Sequence, residues 1–202
     1  MRGTIHGVLD VIVAGILLVV TSPLLLAAAA AVRVRMGRPV LFRQERAGRH
    51  GESFELVKLR TMRPPGRGEP GPDADEVRLT RLGRFLRASS IDELPSLVNV
   101  LRGEMSMVGP RPLPVRYLPR YTREQARRHD VRPGLTGWAQ IHGRNTTTWD
   151  ERLALDLWYV DHRSVGLDLR IMATTVGLVL RRQGVSHEGH ATMPELPDPS
   201  GS

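Results

Sequence analysis

Apolar residues are concentrated in one long N-terminal segment, and the rest of the chain carries short apolar stretches broken by polar ones. From Val8 to Val32 the only charged residue is Asp10. As a helix, this segment would extend about 37 Å, enough to cross a hydrocarbon core of about 30 Å. The pattern therefore predicts a membrane-embedded helical segment, which we assign to residues 1–36.

A proline lies in the middle of this segment and leaves its topology open. A cleaved signal peptide is one interpretation, but the apolar stretch is long for one. A helix that spans the membrane and a re-entrant hairpin that breaks at Ser22–Pro23 fit equally well. Proline removes a backbone donor, and the Ser22 hydroxyl can satisfy the carbonyl left free. Three arginines between positions 33 and 38 place the exit on the cytoplasmic side.

The next region alternates apolar and polar residues over short stretches, which predicts a β-hairpin. Val40–Phe42 and Ser53–Leu59 are separated by a turn at Gly48–Gly51. Lys58 and Arg60 stand two residues apart, so on a strand they point the same way. They form either a solvated basic edge or a phosphate-facing pair, and alone they favour the solvated edge.

The stretch Ser89–Pro112 begins with two adjacent carboxylates and continues with the apolar spacing of a buried helix face. That face comprises Leu94, Leu97, Val98 and Leu101. With Asp92 as the N-cap, Pro95 falls among the first helical residues, whose N–H groups lack helical partners. Asp92 would then lie at the positive end of the helix dipole, which favours its ionised form. Alone, Asp92 and Glu93 are most simply a cap and a first-turn acid.

Two loops downstream present arginines in constrained settings. Pro110 and Pro112 flank Arg111 and force an extended backbone, which suits two-pronged phosphate binding as well as it suits a rigid connector. Arg144 lies in a glycine-punctuated loop that we predict over Leu135–Asn145. His142, in the same loop, is expected to pack or hydrogen-bond, because no other histidine or carboxylate stands at ligand spacing.

Capping signals predict the remaining helices. Thr80 precedes a short basic helix, and capping boxes start at Thr122 and Thr148. Asp168 is expected to cap a last helix, Leu169–Arg182, and we interpret residues 185–202 as a disordered tail.

Composition narrows the class of partner. The chain has 202 residues, a net charge of +8 and a pI near 11.1, which predicts acidic partners such as nucleic acid, anionic lipid or phosphorylated small molecules. The absence of cysteine excludes disulfides, thiolate metal sites and a cysteine nucleophile. Aromatic residues make up 4% of the chain, which argues against base stacking on nucleic acid.

The motifs, taken in order, resemble those of the bacterial sugar transferases, specifically the small monotopic phosphoglycosyl transferases. The matching strings are Thr21–Pro23, Lys58–Met62, Arg81–Arg87, Ser90–Pro95, Ser106–Pro112, Arg132–Gln140 and Gly143–Asn145. Two features depart from the family pattern: His142 replaces the usual asparagine, and the loop Pro64–Glu76 is unusually rich in proline and glycine.

The resemblance implies a fold that is mainly α with a small β-hairpin. It further implies a monotopic membrane protein with a re-entrant helix–break–helix at residues 1–36, a cytosolic catalytic domain at 37–184 and no nucleic-acid partner. The enzyme would lie on the cytoplasmic face of the bacterial inner membrane, with a homo-oligomer left open. It would transfer a sugar 1-phosphate from a UDP-sugar to undecaprenyl phosphate, release UMP and begin polysaccharide or glycoconjugate assembly.

The resemblance also implies roles for individual residues. Asp92 matches the nucleophile that carries the phosphosugar, and Glu93 would help to bind Mg²⁺ together with Asp92, or manage a proton. Arg111 and Arg144 would bind the phosphoryl oxygens of the substrate. Lys58 and Arg60 would serve the phosphate on the membrane side.

Two alternatives remain at this point. One is a membrane-tethered basic module that binds anionic lipid or nucleic acid without catalysis, which the charge supports but no recognition motif does. The other is a phosphatase or a polytopic phosphoglycosyl transferase; the polytopic type needs several membrane spans.

Overall fold

The computed structural model of the protein describes residues 2–64, 78–142, 148–181 and 195–197. Its α-helices in these ranges are α1 Arg2–Met36, α2 Arg81–Ala88, α3 Leu97–Leu101, α4 Arg123–Ala126, α5 Trp138–His142, α6 Trp149–His162 and α7 Val165–Leu180. Its strands are β1 Leu41–Ala47, β2 Ser53–Leu59, β3 Ser106–Val108 and β4 Gly134–Thr136. Short 3₁₀ helices occupy Arg49–Gly51, Ile91–Ser96, Val115–Arg120 and Arg127–His129. The fold is therefore mainly helical, as predicted.

The predicted hairpin is confirmed. Strands β1 and β2 pair antiparallel, with Leu41 opposite Leu59 and Ala47 opposite Ser53, across the turn that follows Gly48. A second, parallel pair of strands, β3 and β4, was not predicted. It occupies part of the stretch interpreted as a loop, since β4 and α5 both fall between residues 134 and 142.

Glycine explains how β3 and β4 come together. A Cβ on Gly134 would lie 2.0 Å from the backbone nitrogen of Gly109, and one on Gly109 would lie 2.4 Å from the carbonyl oxygen of Arg132. Only glycine allows the two backbones to approach this closely. The sequence did not indicate this contact, because its glycines were interpreted as loop residues and not as positions of close backbone approach.

Three of the five capping predictions are confirmed, and those at Asp92 and Asp168 are wrong. Thr80 accepts a hydrogen bond from the Gly83 amide, and Thr122 and Thr148 form complete capping boxes with Gln125 and Glu151. The last helix begins earlier than expected, because the hydroxyl of Ser164 caps it by accepting from the Leu167 amide. Asp168 lies in the first turn instead.

The helix that follows the carboxylate pair differs from the prediction. Residues Ile91–Ser96 form a 3₁₀ helix whose N-cap is Ser90, not Asp92. A 3₁₀ helix has three residues per turn, so the side chains after it emerge at different angles from those of a continuous α-helix. Consequently Leu97 and Val100 are buried, whereas Leu101, assigned to the buried face, is 37% exposed.

Helix α1 is helical from end to end, with Pro23 inside it. The Ser22 hydroxyl donates to the Val19 carbonyl at 2.8 Å, the carbonyl that the missing Pro23 amide would have bonded, so that prediction is confirmed. The helix has no non-helical interruption at Ser22–Pro23. The re-entrant course of this segment stays a prediction.

Both halves of α1 pack against the rest of the chain. Near its start, Ala14 belongs to a core with Leu97 and Tyr159, whereas near its end Val32 packs with Leu59 and Leu86. Between them, apolar side chains are exposed, including Val19 at 74% and Val20 at 70%. Within the described residues, one segment, His6–Met36, is long and apolar enough to cross a membrane.

A short piece of the predicted disordered tail is packed. Leu196 is 6% exposed and lies in an apolar cluster with Leu113, Tyr117 and Leu153. Glu195 forms an ion pair with Arg116 at 2.6 Å. Residues 195–197 are therefore ordered in the structure, because Leu196 packs into this apolar cluster.

Candidate active site

The carboxylate pair is fixed against strand β2 by two buried polar side chains. Ser96 donates to the Val57 carbonyl at 2.8 Å, and Asn99 accepts from the Val57 amide at 3.2 Å and donates to the Glu55 carbonyl at 2.7 Å. These bonds satisfy backbone groups on the edge of β2 that faces away from β1. They also bring Glu93 beside Lys58.

Glu93 lies between two cations. Its Oε1 is 2.6 Å from Lys58 Nζ and 2.8 Å from Arg111 Nη2. Burial alone raises the pKa of Glu93, but the charges and hydrogen bonds of Arg111 and Lys58 outweigh burial and hold that pKa well below its usual range. Glu93 therefore stays ionised, and it positions both cations.

Asp92 points elsewhere, because neighbouring residues of a 3₁₀ helix project about 120° apart. It is 7% exposed, and it accepts no hydrogen bond and forms no ion pair with any described residue. Burial, followed by the charge of Glu93, raises its pKa to about 6, against the opposing charges of Lys58 and Arg87. The expectation that a helix dipole favours ionisation is thus overridden by burial, yet the group is still mostly ionised at neutral pH.

Arg111 is fixed through its backbone, and part of its side chain is exposed. Arg128 donates to its carbonyl at 2.8 Å, and Arg128 is in turn held by Asp156. Its side chain is 40% exposed. Arg46, at the end of β1, donates to the neighbouring Pro112 carbonyl at 3.2 Å. The predicted rigid presentation of Arg111 is therefore present, but distant arginines fix the loop as much as the prolines do.

The structure brings four of the predicted site residues together: Lys58, Asp92, Glu93 and Arg111. It uses Arg60 differently, because this side chain is buried and its guanidinium donates to the carbonyls of Gly37 at 3.1 Å and Arg38 at 3.0 Å, with Met36 as a third acceptor. These contacts close the end of α1 and give no support to a phosphate-binding role. Arg144 lies outside the described residues.

Two site residues were not singled out from the sequence as members of the site. Arg87 belongs to the short basic helix that was predicted after Thr80; its charge acts on Asp92, and its Nε donates to the Thr61 hydroxyl at 3.1 Å. Arg46 lines a cavity together with Lys58, Glu93 and Arg111. No local signal marks Arg46, because its neighbours across this cavity come from distant parts of the chain.

His142 meets its prediction. Its Nδ1 lies 3.1 Å from the Trp138 carbonyl, and its ring packs on the Trp138 ring with centroids 3.8 Å apart. Trp138 in turn stacks on Trp158 at 4.3 Å. The histidine that departs from the family pattern thus packs on the aromatic pair Trp138 and Trp158.

The donor set at the carboxylate pair fits a Mg²⁺ ion that also binds substrate. The described residues contain no group of three or more histidines, cysteines and carboxylates that would form a closed metal site. Mg²⁺, however, commonly takes one or two carboxylates and completes its shell with water and substrate phosphates. Asp92 is free of partners among the described residues, and both cations on Glu93 use the same oxygen.

The buried carboxylate pair lies beside cations, on a domain that packs against an apolar helix. Such an arrangement is typical of an enzyme site, and comparison with known families identifies the class. The chain belongs to the bacterial sugar transferase family, whose model matches residues 1–182.

Relatives within the family are similar over most of the chain. A Bacillus subtilis protein named as the uncharacterized sugar transferase EpsL is 51% identical over 183 residues, which cover 91% of each chain. The UDP-glucose:undecaprenyl-phosphate glucose-1-phosphate transferase of Caulobacter vibrioides is 45% identical over 86% of this chain and 68% of its own length. The undecaprenyl-phosphate galactose phosphotransferase of Salmonella typhimurium is 36% identical, but the match covers only 40% of its length.

Proposed function

We propose that the protein transfers a sugar 1-phosphate from a UDP-sugar to undecaprenyl phosphate, with release of UMP, as the first membrane step in assembling a polysaccharide or glycoconjugate. The relatives named for glucose and galactose transfer support this reaction class. One structural observation carries the proposal: Asp92 is buried beside three cations yet remains without a partner among the described residues. A purely structural carboxylate in that position would be paired.

In the first step, an Asp92 oxygen attacks the phosphorus that bears the sugar. An O–P bond forms to Asp92, the bond from that phosphorus to the bridging oxygen breaks, and the electron pair leaves with UMP. Because this carboxylate makes no ion pair with the described residues, no such bond has to break before attack. Arg111 and Lys58 offset the negative charge that gathers on the phosphoryl oxygens.

In the second step, an oxygen of undecaprenyl phosphate attacks the same phosphorus. The bond to Asp92 breaks, its electron pair returns to the carboxylate, and a sugar linked to lipid through a diphosphate is released. Glu93 keeps its charge throughout, because Lys58 and Arg111 stabilise it. Its role is to hold these two cations beside the reacting phosphate.

Asp92 and Glu93 would hold a Mg²⁺ ion between the protein and the substrate diphosphate. When bound, this ion supplies positive charge that offsets repulsion between the diphosphate and the carboxylates. The chain's own contribution is to fix the two carboxylates on one short helix. Arg144 would add a further cation if its loop approaches the site.

We further propose a monotopic arrangement on the cytoplasmic face of the membrane, with α1 re-entering the side it came from. Both halves of α1 pack against the same folded domain, and Asp10 accepts a hydrogen bond from the Met107 amide at 3.0 Å. A helix tied to one domain near both ends is hard to reconcile with a span. The exposed apolar residues around Val19 would then enter the lipid.

The reaction is tested with the purified full chain, undecaprenyl phosphate, Mg²⁺ and either UDP-glucose or UDP-galactose. We expect one UMP for each lipid-linked sugar, and a burst of UMP equal to the enzyme concentration when the lipid acceptor is omitted. Release of UDP instead of UMP would show transfer of the sugar without its phosphate and would overturn the proposal.

The topology is tested by cysteine labelling, since the chain has no cysteine of its own. We compare a cysteine added ahead of Met1 with Arg35→Cys, in sealed vesicles of known orientation. Both should react with a membrane-impermeant reagent from the same side. Labelling from opposite sides would show a span.

A further inference from the structure

The site contains a cation that the proposed mechanism has not used. Arg46 is partly buried at the end of β1 and faces the cavity lined by Lys58, Glu93 and Arg111. Its guanidinium donates to two neutral acceptors, the Pro112 carbonyl at 3.2 Å and the side-chain oxygen of Gln44. Its Nε is buried and has no hydrogen-bond partner in the part of the chain that the structure describes.

The charges around Arg46 are unbalanced. Among the described residues no carboxylate lies within ion-pair distance of it, although Glu93 acts on it from farther away. Arg111 and Arg116 face it with like charge, and together with burial they lower its pKa to about 10. A cation kept in such surroundings costs folding free energy unless a ligand supplies the missing negative charge.

A nearby arginine on the same strand shows the ordinary arrangement. Arg43 is three residues earlier, its side chain is 58% exposed, and it pairs with Glu55 at 2.6 Å. The contrast shows that β1 can pair an arginine with a carboxylate where no ligand is expected. Arg46 instead has no anionic partner among the residues that the structure describes, and it borders the cavity that Arg111 also lines.

We propose that Arg46 is a further substrate-binding residue, whose positive charge acts on the diphosphate of the nucleotide sugar in addition to holding the Pro112 carbonyl. The inference rests on the proposed function, because it needs a diphosphate in this cavity. Lys58 and Arg111 together offset the charges of Asp92 and Glu93, and Arg46 adds positive charge for an incoming diphosphate. Arg111 and Arg46 would then contact the anion from two sides of one loop.

The test distinguishes two roles of Arg46: its positive charge and its hydrogen bond to the Pro112 carbonyl, which supports the loop. Arg46→Gln keeps a donor for the Pro112 carbonyl and removes the charge, whereas Arg46→Lys keeps the charge and loses the forked geometry. The probe is UDP with Mg²⁺, and its dissociation constant is measured by calorimetry on the full chain. Arg43→Gln serves as the matched control on the same strand.

We expect Arg46→Gln to weaken UDP binding about 10- to 100-fold, which is the usual effect of losing a charged hydrogen-bonding partner. Arg46→Lys should recover most of this loss, and Arg43→Gln should bind UDP as the wild type does. The affinity of the wild type should also fall more steeply with added salt than that of Arg46→Gln.

Normal UDP binding by Arg46→Gln would overturn the inference. If Arg46→Lys bound UDP weakly at the same time, the role of Arg46 would be to support the Pro112 loop alone. If Arg46→Gln does not fold, Arg46→Lys is compared with the wild type. Equal UDP binding and equal salt dependence would then support the inference, and weaker UDP binding by Arg46→Lys would count against it. Failure of the wild type to release UMP would instead refute the proposed function, so the two failures are distinguishable.

Discussion

Two clusters of charged side chains lie side by side in this protein, and they are built differently. In the first, Arg128 and Asp156 are each 2% exposed, and two nitrogens of Arg128 donate to one oxygen of Asp156 at 3.1 and 2.7 Å. In the second, Glu93 accepts from two cations, Asp92 accepts from no described residue, and the Arg111 side chain is 40% exposed. One arginine connects them, since Arg128 also donates to the Arg111 carbonyl.

The difference separates a structural role from a chemical one. The Arg128–Asp156 cluster is closed: each charge has its partner and neither reaches solvent, so it can fix a loop but cannot bind a ligand. The Asp92–Glu93 cluster is open: Asp92 has no partner among the described residues, and the Arg111 side chain is partly exposed. An open cluster is costly for folding, and that cost is understandable where substrate completes the set of charges.

The largest effect should come from Asp92→Asn, which removes the free carboxylate and little else. We expect the rate of UMP release to fall at least about 1,000-fold, because loss of a nucleophile removes the covalent route. The melting midpoint should stay the same or rise, because a buried carboxylate without a partner is replaced by a neutral amide. Both quantities are measured on the same purified sample.

A matched comparison is Glu93→Gln, which removes the paired carboxylate next to it. This variant should lower the melting midpoint, because Lys58 and Arg111 lose their shared partner. If Asp92→Asn lowered the midpoint as much as Glu93→Gln does, the distinction between the two carboxylates would be wrong.

The closed cluster should respond in the opposite way. Asp156→Asn leaves Arg128 buried without its counter-charge, which typically costs about 3–5 kcal/mol of unfolding free energy. For a chain of this size, the melting midpoint should drop by roughly 10 °C. Activity per folded molecule should fall much less than in Asp92→Asn, because Arg128 can still donate to the Arg111 carbonyl.

The double variant Arg128→Met/Asp156→Leu serves as the control for this prediction. Removing both charges together should restore much of the melting midpoint, because no buried charge is left unpaired. A double variant as unstable as Asp156→Asn would show that packing, not charge pairing, explains the loss.

The sequence predicted the parts of this molecule that depend on local chemistry. The capping boxes at Thr122 and Thr148, the hairpin around Gly48 and the Ser22 hydroxyl bond are each set by residues within four positions of one another. Such features can be predicted because the residues that form the sequence pattern are also the residues in contact. The motifs around Asp92 and Arg111 were assigned to a site through the resemblance to a known family, because each alone had a plainer structural interpretation.

Contacts between distant segments were the ones missed. Arg46 meets the Pro112 loop across 66 positions, and Gly134 reaches Gly109 because neither has a side chain. The contacts of Arg60 were missed for a similar reason, since the end of α1 provides backbone carbonyls that no local pattern indicates. The alternation of side chains along a strand predicts the face on which a cation lies, but not the residues that it contacts.

A smaller effect on the melting midpoint should come from His129, which is next to Arg128 in the chain. Its protonation would place a further positive charge beside the closed cluster. Its Nδ1 is 2.9 Å from the Gly48 carbonyl, so it donates there, and its buried Nε2 has no partner within the described ranges. Burial, reinforced by the charge of Arg128, lowers the pKa of His129 to about 4. The unfolded pKa is about 6.5, so the native state binds the proton more weakly than the unfolded state.

The stability that neutral His129 contributes is therefore fully present above pH 6.5 and is lost as the pH falls towards 4. The loss should reach at most about 3 kcal/mol. His129→Gln keeps a donor for Gly48 but does not titrate, so its melting midpoint should fall less steeply than that of the wild type over this range. Parallel melting curves for the two proteins from pH 7.5 to pH 4 would show that the imidazole takes up its proton without cost, and that the surroundings of Arg128 are less closed than the geometry indicates.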